Sequence, residues 1–377
     1  MDCENLVLLG TLRSLKLLGV FLGNPGKDSH LLLKYILMTP LFYISHVTLF
    51  YDLVYRIKNG IPLDVELCAT MCSALVANYM LIVFLFNIDS VMSICHHLSS
   101  TEEFPLPPDF IPTRDRVEKF AHIYRIYICV SSVIYSSSKA ILTNPCQITK
   151  AALNVERDCA LYLPTFFPFK IEYFPVYQLV FLVQGCSLLH ILIGASYVAL
   201  LSYEIISYLG NRMNHLCLIL ETISTEKDEK LQKETIKFCV RYHEFIIRIS
   251  TDTSSLYNKI FAIHAIAAAL VFAGLSKQAL NDLNAALHLI GWIGCIFLVC
   301  HTGQNLIHVS ENLGEKIMFM CKWYKLNSSL QKDLQLILLR SQRPLTLPAG
   351  PFATLNYELF IKVIKTAYSY FTFIANT

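Results

Sequence analysis

From Tyr173 to Tyr203 the chain runs for 31 residues without an Asp, Glu, Lys or Arg. A soluble helix of that length needs a charged face to meet water, whereas a bilayer core needs about 20 consecutive apolar residues. The stretch therefore reads as a membrane crossing with residues to spare. Charge-free runs also cover Leu283–Ser310, Leu67–Ile88, Tyr35–Tyr51 and Ile260–Ser276, and Ile126–Ser138 stops at Lys139, near enough to an end to snorkel. The segment Leu355–Ile374 is the last. Seven spans are predicted, numbered here in chain order. Only 16% of the 377 residues are charged and 54% are hydrophobic, against about 25% charge in an ordinary soluble domain.

Basic residues favour the cytoplasmic side of a membrane. With the N-terminus inside, segments 1–30, 96–120, 206–253 and 310–354 hold 19 Lys and Arg, and the outer loops 56–64, 143–172 and 277–282 hold 6. The expected topology is N-terminus inside and C-terminus outside, opposite to that of a G-protein-coupled receptor. Asp2 and Glu4 precede the first apolar stretch, and Arg13 and Lys16 interrupt it. That departs from the pattern of a signal peptide and suggests instead a helix over 3–22 in the inner interface, ended by Asn24-Pro25-Gly26. Among 13 cysteines, Cys146 and Cys159 alone share an outer loop, where oxidation can pair them.

The long inner segments carry helical stripes, Ile206, Leu209, Met213, Leu216 and Leu220 in one, and Ile317, Met320, Tyr324, Leu334, Ile337 and Leu338 in the other. Helices with apolar stripes outside a bilayer pack on each other, so a cytoplasmic bundle is expected. The fold class is all-α: a polytopic membrane protein of seven transmembrane helices above a helical anchor. The corresponding divisions are 1–30, an interfacial helix; 31–205, the first four spans; 206–253, anchor helices; 254–309, the fifth and sixth spans; 310–354, anchor and the approach to the last helix; and 355–377, that helix.

No glycine-rich phosphate loop, zincin helix or mid-span acid pair is present. The reading is of a non-enzyme with no catalytic residues, no metal and no cofactor. Polar and aromatic residues in the outer halves of the spans carry more information. Leu75, Asn78 and Tyr79 share a face of the second span, and the third offers Tyr135 and Ser138. Tyr177, Phe181, Gln184 and Leu188 make one stripe on the fourth, and the sixth contributes His288 and Trp292. Together these suit an aromatic cavity for a small, mostly apolar ligand, such as an aromatic or heterocyclic ring with one polar atom.

The C-terminal 50 residues contain Arg340-Ser341-Gln342-Arg343-Pro344, the turn Ala349-Gly350, and Ala367-Tyr368-Ser369-Tyr370-Phe371-Thr372. With Lys322-Trp323-Tyr324 and Tyr242-His243-Glu244 upstream, they make the chain similar to insect odorant receptors, most strongly over the last ~60 residues. The resemblance implies an odorant-gated, non-selective cation channel. It implies an odorant-specific subunit that assembles with co-receptor subunits in a tetramer held together by the cytoplasmic bundle. The volatile ligand then binds in the outer half, among the second to sixth spans, and the seventh lines a central pore. It implies a multi-pass protein of the plasma membrane on the olfactory sensory neuron dendrite, with lipid and permeant cations as partners and no nucleic acid. Ser369-Tyr370 matches the family's Thr-Tyr before the pore tip, which makes Tyr370, Phe373 and Asn376 the pore and gate residues. The larger Phe373 would crowd a ring of four and favours a mixed pore. Lys362 and Lys365 lie toward the inner vestibule, where snorkelling explains them. A metabotropic seven-helix chemoreceptor and a gustatory-type receptor channel are the alternatives.

Overall fold

The computed structural model describes residues 9–20, 46–61, 63, 65–141, 161–162, 167, 170–171, 173–351 and 353–376. Its helices are α1 (Leu9–Leu17), α2 (46–58), α3 (Val65–Phe86), α4 (Ile88–Ser99), α5 (Phe110–Ile141), α6 (Val176–Thr222), α7 (Glu229–Gln278), α8 (Leu283–Phe319), α9 (Ser328–Ser341) and α10 (Tyr357–Asn376). Among the described residues the extended pairing is a single bridge, Pro348 to Thr354. Most of the first span and the Cys146–Cys159 pair lie outside the described residues.

Polar caps start three of the helices. Asp228 accepts from Lys230 N at 2.9 Å, Asp282 from Asn284 N at 2.9 Å, and Asn327 from Leu330 N at 2.9 Å, each satisfying an amide that has no partner inside its helix. Once started, the helices run far. α6 has 47 residues and α7 has 50. At ~1.5 Å per residue that is roughly 70–75 Å, more than twice a ~30 Å hydrocarbon core. By length and composition α3, α6, α7 and α8 can each cross a membrane. The divisions drawn at 205/206, 253/254 and 309/310 fall inside α6, α7 and α8. Each span and the segment beyond it therefore form one rod.

α6 is the axis of the bundle and touches α1, α3, α4, α5, α7 and α8. Val198, Ala199, Leu200, Leu201 and Ile205 are fully buried along it. Leu179, Leu182, Ile266, Leu270 and Ile290 instead remain exposed, an apolar surface that suits lipid better than water.

The half of the bundle that contains α4 and α9, here called the base, is packed around charges. Arg212 of α6 is 1% exposed. Its Nη2 donates to the carbonyls of His97 (3.2 Å), Leu98 (3.1 Å) and Ser100 (2.9 Å), and its Nη1 to Pro105 (3.4 Å). These carbonyls end α4 and begin the next loop. A guanidinium there meets both the orphan acceptors and the negative end of the helix dipole. Phe245 carries Arg212 and Arg248 at 5.4 Å each, and Phe104 stacks on Tyr242 at 4.7 Å.

α1 is set into this framework rather than lying free on it. Leu12 and Leu15 are buried. Thr11 donates to Glu204 of α6 at 2.8 Å and accepts from Arg125 of α5 at 2.9 Å, and Arg125 also pairs with Glu118 at 2.6 Å. The helix ends at Leu17, with Gly19 at φ +73°, earlier than the Asn-Pro-Gly stop predicted for it. A left-handed glycine is enough to end it.

The connector from α9 to α10 is clamped onto α7 and α8. Leu345 N donates to Ser310 Oγ (3.0 Å), Ser254 Oγ to Thr346 O (2.9 Å), and Gly350 N to Asn258 Oδ1 (2.6 Å). Gly350 sits at φ +75°, which a Cβ would strain. Gly303 of α8 lets the Leu355 backbone lie directly on the helix, since a Cβ there would come within 2.7 Å of Leu355 Cβ. α10 leaves this joint amphipathic, with Val363 and Ala367 buried and Ile361, Lys365 and Tyr368 exposed.

Candidate ligand-binding cavity

The other half of the bundle holds a cavity of about 120 Å³. α3 lines it with Ser73, Val76, Ala77 and Met80, and α5 with Ile128, Ser131, Ser132 and Tyr135. Both sets follow the spacing i, i+3, i+4, i+7, which is one face of a helix. Leu192, Ala195 and Ser196 come from α6, His264 from α7, and Leu287, His288, Gly291, Trp292 and Cys295 from α8. Among the described residues, no Asp, Glu, Lys or Arg lines it. Ser73, Tyr135, Leu192 and His288 also wall a smaller void of about 30 Å³ that reaches His46 and Leu49 of α2 and Ser187, Leu188 and Ile191 of α6.

Ser73 organises the polar wall. Trp292 Nε1 donates to Ser73 Oγ at 2.8 Å, Ser73 donates to Ala69 O at 2.8 Å, and His288 Nε2 lies 2.9 Å away. His264 stacks on Trp292 with centroids 5.0 Å apart and planes 13° apart. Tyr135 and His288 meet at 5.4 Å. Among the described residues no three His, Cys, Asp or Glu side chains converge to hold a metal.

The predicted site residues divide between these walls and other surroundings. Tyr135, His288 and Trp292 line the larger cavity, and Leu188 joins Tyr135 and His288 on the smaller one. Asn78 sits one position beyond Ala77 on α3 and points to α2, with Nδ2 2.6 Å from His46 Nε2. Ser138 donates to Asn284 Oδ1 at 2.7 Å and ties α5 to the start of α8. Tyr177 and Phe181 pack in the first turns of α6, where Phe181 meets Tyr162 at 4.3 Å. Gln184 is buried, Tyr79 is half-buried and Leu75 is exposed, none of them on the wall of either void. Tyr370, Phe373 and Asn376 lie on the helical backbone of α10, and their side chains are outside the described set.

Ser73, Met80, Ser131, Ser132, Ser196 and His264 are lining residues that the sequence reading passed over. On α3 it followed aromatic and amide groups, and the cavity lies on the adjacent face of small residues. His264 did carry a signal: it is an ionisable side chain alone in an apolar span, a pattern that marks function by default.

α8 connects the cavity to α10. Below Trp292 and Cys295, Phe297 meets the Phe360 ring edge-on at 5.5 Å, and His301 Nδ1 is 2.7 Å from Tyr357 Oη.

With this geometry in view, residues 64–368 match the family model described as 7tm odorant receptor. The chain belongs to that family of insect receptors. It is 28% identical over 194 residues to the candidate odorant receptor 92a of Drosophila melanogaster, covering 49% of this chain and 47% of that one. It is 28% identical over 154 residues to the odorant receptor coreceptor of Ooceraea biroi, covering 39% and 32%. The chain thus spans less than half the length of these relatives. The fold is similar to that of olfactory receptor OR5 from Machilis hrabei in complex with eugenol. The TM-score there is 0.78 at 13% identity, over 98% of this chain and 99% of that one. The family and its relatives are receptors, not enzymes, and the apolar rods mark a membrane protein.

Proposed function

We propose that this chain is the ligand-tuning subunit of an odorant-gated cation channel, inserted with its N-terminus inside by seven spans and assembled with co-receptor subunits in the plasma membrane. The single observation that carries the reading is a cavity whose described lining residues carry no charge, walled by α3, α5, α6, α7 and α8, on the same rod, α8, that holds the first turn of α10. A ligand that fits one arrangement of α8 better than another shifts the population of α10 positions by that difference in affinity. Tyr370, Phe373 and Asn376 on the last turns of α10 would then face the ion path, and the base would meet neighbouring subunits. OR5, whose fold this chain shares, was solved with a small aromatic ligand, and relatives include coreceptors.

The test is co-expression with a co-receptor subunit and recording of currents against a panel of volatiles. Ligand-evoked cation currents that require this chain, and whose ligand sensitivity changes with Tyr135→Ala or Trp292→Ala, are expected. Currents indifferent to both substitutions would remove the cavity from the reading. An epitope at the N-terminus that is reached without permeabilising the cell would overturn the topology.

A further inference from the structure

We propose that the cavity selects ligands bearing a hydroxyl, small alcohols or phenols, over isosteres that lack the O–H. This rests on reading the cavity as the ligand site, and it follows from which protons and lone pairs the walls have left to offer.

Ser73 has none. A hydroxyl has one proton and two acceptor lone pairs. Its proton goes to Ala69 O, one lone pair takes the Trp292 N–H, and His288 Nε2 at 2.9 Å occupies the other. All three contacts are satisfied when His288 carries its proton on Nε2. Ser131 and Ser196 have spent their protons on helix carbonyls, Ile128 O at 3.2 Å and Leu192 O at 2.8 Å; Ser196 Oγ also meets Cys295 Sγ at 3.8 Å, and each serine keeps at least one lone pair. Ser132 can serve either way.

His264 supplies what the serines lack. It is 4% exposed, and among the described residues no group hydrogen-bonds to its Nδ1. A neutral imidazole presents one N–H and one bare nitrogen. With no charged side chain among the described residues of the wall, an ammonium or carboxylate would be buried unpaired, which is costly. A hydroxyl is the smallest neutral group that answers both needs: its oxygen accepts from an N–H while its hydrogen reaches a serine lone pair. An aldehyde or ester can only accept. A hydrocarbon leaves the walls unpaired, and sites built to bond an O–H discriminate against its absence far more than pockets discriminate one methylene. The volume of about 120 Å³ is of the order of the ~150 Å³ cavity that holds benzene, so one ring or a short chain fits.

The experiment uses the purified full-length chain and three matched probes: benzyl alcohol, ethylbenzene with a methyl in place of the hydroxyl, and benzaldehyde as acceptor only. Ligand-dependent thermal shifts give relative affinities. Benzyl alcohol should bind roughly tenfold tighter than ethylbenzene, about 1.4 kcal/mol. His264→Phe keeps the stack on Trp292 and should bring the two within about threefold, while His264→Gln, which still donates and accepts, should retain the preference. If His264→Phe does not fold, the double variant Ser131→Ala/Ser196→Ala decides, with the same narrowing expected. Equal affinities in the unmodified chain, no binding of any probe, or a ratio unmoved by these variants would overturn the inference. A hydroxyl preference in binding with silent currents would sink the channel reading and leave this one standing.

Discussion

The base and the cavity half share the long rods α6, α7 and α8, yet they treat polar groups in opposite ways. In the base, Arg212 is closed in by four carbonyls and an aromatic face, and Phe104, Phe238, Tyr242 and Phe245 fill the space between helices. In the cavity half, serines, alanines and a glycine are interleaved with aromatic and aliphatic side chains on the facing walls, which leave a void. Close-packed charge specifies one arrangement of helices. Small residues and an unfilled space tolerate more than one, and a ligand can choose among them.

The contrast can be broken most severely at Arg212. Arg212→Met removes a buried guanidinium and orphans the carbonyls that end α4, at a cost of about 3–5 kcal/mol. Thermal unfolding of the detergent-solubilised protein should drop or the chain should fail to assemble; a melting point within a degree of wild type would refute the base as the rigid half. Gly303→Val comes next. A side chain there meets the Leu355 backbone, and overpacking of this kind costs about 1–3 kcal/mol. Cross-linking between α8 and α10 should fall, and ligand-evoked current should fall with it while ligand binding persists.

A smaller effect is expected at the cavity wall. Trp292→Phe keeps the stack but loses the N–H to Ser73, worth about 1 kcal/mol, and should move ligand sensitivity severalfold with little change in melting. An unchanged dose–response would mean that Ser73 and Trp292 do not shape the site. The smallest effect belongs to Lys362, whose contact with Glu358 at 2.6 Å is exposed on both sides. Lys362→Ala should leave the melting temperature unaltered, because surface pairs contribute little, and a clear change in conductance would give it the role in permeation that snorkelling denies.

Much of the fold could be read from the chain. The charge-free run Tyr173–Tyr203 became the core of α6, and the stripe Ile206, Leu209, Met213, Leu216 and Leu220 is buried beyond it. Both patterns follow from solvent: an uncharged helix avoids water, and a striped one hides its stripe. The site was harder. Tyr135, His288 and Trp292 stood out as polar or aromatic groups in apolar spans, and the cavity brings them together. Leu75, Tyr177 and Phe181 had the same look, and they face outward or pack at the end of α6.

What the sequence by itself determined is therefore the set of apolar rods, because the hydropathy and backbone hydrogen bonding of one helix depend on that helix alone. Which faces meet was decided by tertiary structure. The cavity exists where five helices from distant parts of the chain fail to close, and no periodicity within one helix records the gap left by four others. Arg212 shows the same limit. Its residue type calls for acceptors, but only the approach of α4 to α6 supplies them.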